Sequence, residues 1–296
     1  MKRDGPANVL KLGLPAGSLK DMTLSLLRKA GYQFVVRPRS YVPISVDPEI
    51  SARMFRAQEI PRYVADGHFD AGLTGQDMVA EAGVRLKEVA VFEYGRTGFS
   101  RIRWVIAVPK NSAIRSVKDL KGKTIATEAV NLTRNFLRGK GVSANVEFSW
   151  GATEAKVPEL VDAIADTTET GSSLEANNLR IVAEMMSSGT VLVANPKALK
   201  DPWKRSKIGE IASLMQGALM AEDMVGLKMN VSKEDLSRVL KVLPAMKKPT
   251  VSPLSDPDWV SVETVIREDE VRKLVPLLKA AGAFGLVEYP LNKVIP

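Results

Sequence analysis

The chain has 296 residues, a formal net charge of +8, no cysteine and one histidine, His68. These counts exclude thiol nucleophiles, disulfides, thiolate metal sites and a metal centre built from several histidines, so any chemistry must use carboxylates, hydroxyls, basic groups and backbone. The positive charge favours anionic ligands, but much of it falls at predicted helix ends, without a nucleic-acid-binding motif or interleaved aromatic residues.

Length and composition are typical of a globular protein with two or three domains, since 45% of the residues are hydrophobic and 26% are charged. The N-terminal sequence fits a first strand better than a signal peptide, and no apolar run is long enough to span a membrane. We therefore expect a cytoplasmic protein that binds neither membranes nor nucleic acid.

The first half of the chain alternates strands with helices. "VLKLGL" predicts a strand, and the helix that follows it ends at Gly31. The pattern recurs with a helix that begins at Pro61, a strand at 70–73 and a helix from Thr74, and again with a helix capped by Asn131. Such alternation predicts parallel sheets, whose ligands gather at the carboxyl ends of the strands.

The stretch "DAIADTTETGSSLEANNL" predicts a strand, a polar loop and a new helix. Residues 163–165 form a short apolar run that ends at Asp166, and Gly171 can adopt a backbone conformation closed to other residues. Ser172 with Glu175 indicates a capping box. The helix that it begins is expected to bury four apolar side chains: Leu174, Leu179, Val182 and Met186.

A loop of this kind offers free backbone N–H groups and a helix dipole to a phosphate, with hydroxyls from Thr167, Thr168, Thr170, Ser172 and Ser173. Asp162 and Asp166 beside it would suit sugar hydroxyls. The alternative is an ordinary capped turn that binds nothing. Asp70 begins a similar strand and glycine-bearing loop, which indicates either two lobes built alike around a cleft or a chance similarity.

A basic amphipathic helix from about Trp203 leads to a different pattern. Strands are predicted at 225–231, 250–254, 260–266 and 283–291, with helices at 232–246 and 267–282. This β-α-β-β-α-β order is the ferredoxin-like unit. Its role could be regulatory, oligomerising or structural.

With these residues in view, the chain resembles the long form of the ATP phosphoribosyltransferase family. The resemblance is carried by "LPAGSL", "RAQEIPRYVADGHFDAGLTGQD", "IATEAVNLTRNFL", "ELVDAIADTTETGSSLEANNLR" and "KKPTVSPLSDPDWVSVETVI". It implies transfer of phosphoribosyl from phosphoribosyl pyrophosphate to N1 of ATP, with release of pyrophosphate, in the first step of histidine biosynthesis. Mg²⁺, feedback inhibition by histidine and a hexamer in equilibrium with a dimer are also implied.

The resemblance implies an α/β fold with a two-lobed catalytic part, similar to periplasmic binding proteins, and a C-terminal ferredoxin-like domain. We expect residues 1–105 and 191–222 to form the first lobe and residues 106–190 to form the second, with the phosphoribosyl-binding loop. Residues 223–296 would form the regulatory domain.

The resemblance also implies roles for particular residues. Asp162, Asp166 and Glu154 are expected near the ribose, and Thr250 is expected to hold histidine. The expected substrate-binding residues are Thr167, Thr168, Glu169, Thr170, Gly171, Ser172 and Ser173 for the 5′-phosphate, and Thr74, Gly75, Arg53 and Arg56 for the nucleotide and pyrophosphate. Mg²⁺ would be carried mainly by substrate phosphates, so no metal-binding side chains are assigned.

Three positions, in two motifs, depart from the family pattern. Ala16 stands where "LPKG" would place a lysine, and Ala129 and Val130 replace the tyrosine and proline of "TEYPN". The main alternative is a bilobal small-molecule-binding protein without catalysis, which would use the same two lobes and cleft. The effector half of a transcription regulator is a further alternative, but it would need a helix-turn-helix motif that the sequence does not show.

Overall fold

The computed structural model describes residues 8–94, 101–244 and 248–295, and every structural statement below refers to them. The last two positions of the helix predicted at 232–246 lie outside these residues. The chain divides into two compact units, Met1–Ser25 with Tyr32–Ala212, and Leu26–Gly31 with Ser213–Pro296. None of the described helices is both long and apolar enough to cross a membrane.

The first sheet of the larger unit has five strands in the order β4-β1-β5-β12-β6. They are β1 (Leu10–Ala16), β4 (Ile50–Arg56), β5 (Ala71–Gly75), β6 (Lys87–Phe92) and β12 (Thr190–Ala194). A small hairpin, β2 (Phe34–Val35) and β3 (Ile44–Ser45), precedes β4. The helices of this part are α1 (Lys20–Ala30), α2 (Ile60–Ala65) and α3 (Gln76–Ala82). Because β1 is parallel to both β4 and β5, the carboxyl ends of these three strands meet at one edge.

The second sheet belongs to the same unit and has the order β11-β7-β10-β8-β9. Its strands are β7 (Ile102–Pro109), β8 (Thr124–Thr127), β9 (Asn145–Phe148), β10 (Ala163–Thr168) and β11 (Leu179–Ser188), with helices α4 (Val130–Gly139) and α5 (Ser172–Ala176). β10 is parallel to β8 and antiparallel to β7. We call the parts of the unit built on the two sheets the first and second lobes.

The prediction of a long helix after Gly171 is wrong. α5 ends after five residues, the N-cap is Gly171 rather than Ser172, and Asn178 has a positive φ of 54°. From Leu179 the chain is a strand paired with β7, because the β-branched residues of this stretch gain a sheet partner that a local pattern does not reveal. Leu174 is buried as expected.

The smaller unit ends in a four-stranded antiparallel sheet of order β14-β15-β13-β16. α6 (Pro202–Met220) precedes β13 (Met224–Ser232), α7 (Leu236–Val242), β14 (Thr250–Pro253), β15 (Trp259–Arg267), α8 (Glu268–Ala280) and β16 (Ala283–Pro290). Alternate residues of β13 face a core completed by both helices. The predicted α/β fold, with two lobes and a ferredoxin-like domain, is confirmed.

Candidate active site between the two lobes

A cavity of about 260 Å³ lies between the two lobes. The first lobe contributes the residues that follow β1, the end of β4 and the start of α3, while the second contributes residues of β7 and β10 and Glu128, which follows β8. Arg56 and Gly75 therefore line the same cavity as Asp166 and Thr167. These four are sequence-predicted site residues that the fold brings together from separate parts of the chain.

Asp166 is held in place by two donors. Its carboxylate accepts a hydrogen bond from the Thr153 hydroxyl and another from the backbone N–H of Thr167, at 2.7 Å. The side chain is half-buried and lines the cavity. It therefore presents a fixed acceptor, suited to the hydroxyls of a sugar.

The loop at residues 167–173 is folded by its own hydroxyls. The Gly171 N–H donates to Thr168 Oγ1 at 2.8 Å, and the hydroxyls of Thr170 and Ser172 lie 2.9 Å apart. Gly171 has φ +88°, a left-handed conformation in which a side chain would be strained. Because α5 has only five residues, its dipole contributes less than the sequence predicted, and the polar groups of the loop are the main donors.

Glu154 is joined to this loop. The Ser173 hydroxyl donates to Glu154 Oε1 at 2.7 Å, and Glu154 follows Thr153, the partner of Asp166. The segment around 153–154 thus connects the strand end at Asp166 to the far end of the loop. Neither Glu154 nor Ser173 is among the residues that line the cavity.

Asp162 lies at the other end of β10 from Thr167. Its carboxylate accepts hydrogen bonds from Thr124 N at 2.9 Å and Lys123 Nζ at 3.0 Å, and it lines a separate pocket with Pro158. The Thr124 N–H, followed by Lys123, holds the pKa of the Asp162 carboxyl below its usual range. The structure therefore does not bring Asp162 together with Asp166.

The candidate residues of the first lobe do not all line the cavity either. Thr74 is buried and its hydroxyl donates to the Ala57 carbonyl at 2.7 Å, which ties the end of β5 to the turn after β4. Arg53 lines a different pocket, with Tyr63 and His68. At Gly75, a Cβ would lie 2.1 Å from Asp77 Oδ1, so a side chain there would displace that carboxylate.

Sequence reasoning missed the polar floor of the cavity. Asp77 is 2% exposed, and its carboxylate accepts hydrogen bonds from Trp104 Nε1 and from the Ser188 hydroxyl, both at 2.8 Å. Tyr94 also lines the cavity, and burial raises the pKa of its hydroxyl to about 12. The one available indication was an aspartate directly after "LTGQ"; its partners are 27 and 111 residues away.

Charge in the cavity comes from both lobes. Ala16 lines it at the end of β1, so this departure from the family pattern falls at the candidate site. Arg56 supplies a cation, and Glu128 and Asp166 supply carboxylates. Among the described residues, no group of three or more histidine, aspartate or glutamate side chains could hold a metal ion.

Comparisons with known proteins identify the family. The profile of the ATP phosphoribosyltransferase family matches residues 56–217, and the profile of the HisG C-terminal domain matches residues 221–293. An ATP phosphoribosyltransferase of Thermodesulfovibrio yellowstonii is 54% identical over 97% of this chain and 99% of its own length. One from Desulforudis audaxviator is 56% identical with the same coverage.

A solved structure agrees. The ATP phosphoribosyl transferase (HisG:HisZ) complex from Thermotoga maritima contains a chain that is 28% identical, with a TM-score of 0.60, over 70% of this chain and 99% of that one. Identity above 50% along nearly the whole length does not favour a binding protein without catalysis. The chain therefore belongs to the ATP phosphoribosyltransferase family, the pentosyltransferases that catalyse the first step of histidine biosynthesis.

Proposed function

We propose that the cavity between the lobes is where phosphoribosyl pyrophosphate and ATP react. The observation that carries this assignment is that Arg56 and Gly75 of one lobe line the same cavity as Asp166 and Thr167 of the other. A cation and a glycine backbone that lines the cavity on one side suit pyrophosphate or nucleotide phosphates. A carboxylate and a hydroxyl-rich loop on the other suit a ribose 5-phosphate.

In this assignment the loop at 167–173 binds the 5′-phosphate and Asp166 accepts hydrogen bonds from the ribose hydroxyls. The candidate phosphate-binding residues in this loop are Thr167, Thr168, Glu169, Thr170, Gly171, Ser172 and Ser173. Glu154 accepts a hydrogen bond from the Ser173 hydroxyl and so orients the far side of the loop. Thr74 shapes the opposite wall through its bond to Ala57.

The reaction forms a bond between adenine N1 and the anomeric carbon of the ribose. The bond from that carbon to the pyrophosphate oxygen breaks, and its electron pair leaves with pyrophosphate. Positive charge develops on the sugar, and negative charge develops on the leaving group. Catalysis then depends on positioning and electrostatic stabilisation, which fixed acceptors near the ribose and Arg56 near the leaving group can supply.

The donor set fits Mg²⁺ that arrives with the substrates. Mg²⁺ prefers oxygen ligands and commonly uses one or two carboxylates together with substrate phosphates and water. Three carboxylates among the described residues line the cavity: Asp77, Glu128 and Asp166. The Asp77 carboxylate already accepts hydrogen bonds from Trp104 and Ser188, which leaves Asp166 and Glu128 as the candidates for Mg²⁺. Bound there, Mg²⁺ would neutralise the charge of pyrophosphate, while the chain itself holds the ribose and the adenine ring.

The role of Asp162 is better described as structural. Its carboxylate pairs with Thr124 N and Lys123 at the start of β10, outside the residues that line the cavity. Asp70 in the first lobe accepts a hydrogen bond from Lys11 N at 2.9 Å and pairs with Lys204 at 2.7 Å. The same arrangement in both lobes supports a role in joining neighbouring parallel strands.

We also propose that the ferredoxin-like domain binds histidine as a feedback inhibitor and that the enzyme is a hexamer in equilibrium with a dimer. The match of residues 221–293 to the family's C-terminal domain supports a dedicated module. Thr250 is exposed on β14, where its hydroxyl is accessible to a ligand.

A product assay tests the proposed reaction. The protein is incubated with ATP, phosphoribosyl pyrophosphate and Mg²⁺, and we expect pyrophosphate to appear in equal amount with N1-(5-phosphoribosyl)-ATP. A reaction without ATP is the control. Pyrophosphate release that did not require ATP would indicate hydrolysis and would contradict the assignment.

A further inference from the structure

Helix α3 of the first lobe contacts the second lobe through one face. Asp77, Ala80 and Glu81 are three and four residues apart, so they lie on the same side of the helix. Asp77 accepts the indole N–H of Trp104, a residue of β7. Ala80 packs against a buried cluster in the second lobe that contains Trp104, Ala129 and Leu132.

Glu81 caps helix α4 from the opposite lobe. The N-cap of α4 is Ala129, which has no side-chain acceptor, and Asn131, the expected cap, is already inside the helix. The backbone N–H groups of Asn131 and Leu132 donate to the two carboxylate oxygens of Glu81, at 3.1 and 2.8 Å. The Asn131 amide also donates to the Glu81 carbonyl at 3.0 Å.

These contacts provide hydrogen-bond acceptors for first-turn N–H groups of α4, which the residue before the helix does not cap. First-turn N–H groups have no partner within the helix, and a carboxylate placed there also interacts favourably with the helix dipole. Local caps normally come from the residue just before the helix. Here the acceptor lies about 50 residues upstream on the other lobe, so opening the cleft at this point would uncap α4.

We propose that Glu81 is a positioning residue for phosphoribosyl transfer, which holds the two lobes at the separation that the reaction needs. This inference rests on the proposed function, because it assumes that Arg56 and Gly75 act together with Asp166 and Thr167. Glu81 is not among the residues that line the cavity. It fixes α3, whose first turn lines the cavity at Asp77, against α4 of the other lobe.

The structure offers a matched control for the capping role. Asp119 also accepts two backbone N–H groups, from Arg115 at 2.9 Å and from Ser116 at 2.8 Å, but all three residues belong to the second lobe. Glu81→Ala and Asp119→Ala therefore each remove a carboxylate cap, and only the first removes a link between lobes. Glu81→Gln keeps one acceptor oxygen and tests for partial rescue.

We expect Glu81→Ala to lower kcat/KM by about 100-fold, since a misplacement of about 1 Å can have an effect of that size. Glu81→Gln should lose less, and Asp119→Ala should keep the wild-type kcat/KM. Thermal unfolding of all three variants checks that the losses do not follow the unfolded fraction. A kcat/KM in Asp119→Ala as low as that in Glu81→Ala would overturn the proposal.

The distance between the lobes supplies a second measurement. Because the chain has no cysteine, spin labels can be attached at Arg62→Cys on α2 and Asn135→Cys on α4, both exposed, with labelled chains diluted into unlabelled ones. Without substrate, Glu81→Ala should broaden the distance distribution, and Asp119→Ala should not.

The proposal requires that Glu81→Ala show both a broader distance distribution and a lower kcat/KM. If only one of these two changes is observed, the proposal is overturned. If the wild-type protein formed no N1-(5-phosphoribosyl)-ATP, the proposed function and the positioning role would both fall. The distances would then still report whether Glu81 links the lobes, which separates that failure from failure of the contact itself.

Discussion

Thr124 and Asp162 exchange two hydrogen bonds at the start of two neighbouring parallel strands. The Asp162 N–H donates to the Thr124 carbonyl at 3.0 Å, and the Thr124 N–H donates to the Asp162 carboxylate at 2.9 Å. In the first lobe, Asp70 and Lys11 make the same pair of bonds, each 2.9 Å long. An aspartate before a strand thus caps the adjacent strand in both lobes, which explains the repeated sequence pattern without a ligand.

Asp162, just before β10, and Asp166, within it, should therefore respond differently to the same change. Asp162→Asn should lower the free energy of unfolding by about 1 kcal/mol through its weakened hydrogen bonds and leave kcat/KM unchanged. Asp166→Asn should lower kcat/KM by about 100-fold, because a fixed charge near the reacting ribose is lost, with a smaller effect on stability. Urea unfolding and steady-state kinetics distinguish the two. Loss of activity in Asp162→Asn at unchanged stability would restore it to the active site.

Asp162 should also contribute to acid sensitivity. Its lowered pKa, caused first by the Thr124 N–H and then by Lys123, means that the folded state favours the charged carboxylate. The resulting stability is present above the unfolded pKa of about 3.9 and is lost as the pH falls through the lower folded value. Because the side chain is 37% exposed, solvent screens much of this effect. We expect the free energy of unfolding of Asp162→Asn to fall less steeply below about pH 4 than that of the wild type.

Much of the architecture was predictable because it depends on local periodicity. The strand–loop–helix repeats of the first half and the β-α-β-β-α-β order of the tail are carried by alternating and helical apolar patterns. The strand β11 was not predictable, since Leu179, Val182 and Met186 would also fall on one face of a helix. Only the pairing with β7 decides between strand and helix. Local pattern cannot report a partner that lies about 75 residues away.

The site was predictable in part for a similar reason. Asp166 and the loop after it form a continuous sequence motif, whereas the Asp77–Trp104–Ser188 cluster is assembled from three separate segments. Glu81 is a further example, because nothing near α4 indicates a cap from α3. The residues that link the lobes are the ones that a single sequence leaves out.

Gly171 tests the phosphate assignment through backbone conformation. A Cβ at Gly171 would meet no atom within 4 Å, so Gly171→Ala acts only through strain at φ +88°. Gly122→Ala, at φ +74° and equally open, introduces comparable strain elsewhere in the second lobe. Each should lose about 1 kcal/mol of stability. Only Gly171→Ala should raise the KM for phosphoribosyl pyrophosphate; an equal KM in both variants would contradict the loop's role.

Ala16 tests whether the cavity lacks a cation. Ala16→Lys adds an ammonium group to the end of β1, which lines the cavity, and should lower the KM of the anionic substrates. The gain should shrink between low and physiological salt because ions screen the new charge. Ala16→Gln controls for side-chain length without charge. An unchanged KM for both substrates in Ala16→Lys at every salt concentration would show that another cation already fills this role.

Thr250 tests the regulatory proposal with less disturbance than truncation. Removing residues 223–296 would also delete the bonds of Val294 N to Gly217 and of Lys293 to the Lys29 carbonyl, each 2.9 Å long, and so would expose the ends of α6 and α1. Thr250→Ala instead removes one exposed hydroxyl from β14.

If that hydroxyl holds histidine, Thr250→Ala should raise the histidine concentration for half-inhibition by about tenfold, because a hydrogen bond to a charged ligand is lost. Both substrate KM values should stay unchanged, because an effector site outside the cleft contributes nothing to substrate contacts. Ser252→Ala, a neighbouring hydroxyl on the same strand, is the control. Calorimetry should show weaker histidine binding to Thr250→Ala in parallel. A full-length protein that bound no histidine would remove the regulatory role from this domain, while the transferase assignment would stand on the catalytic lobes alone.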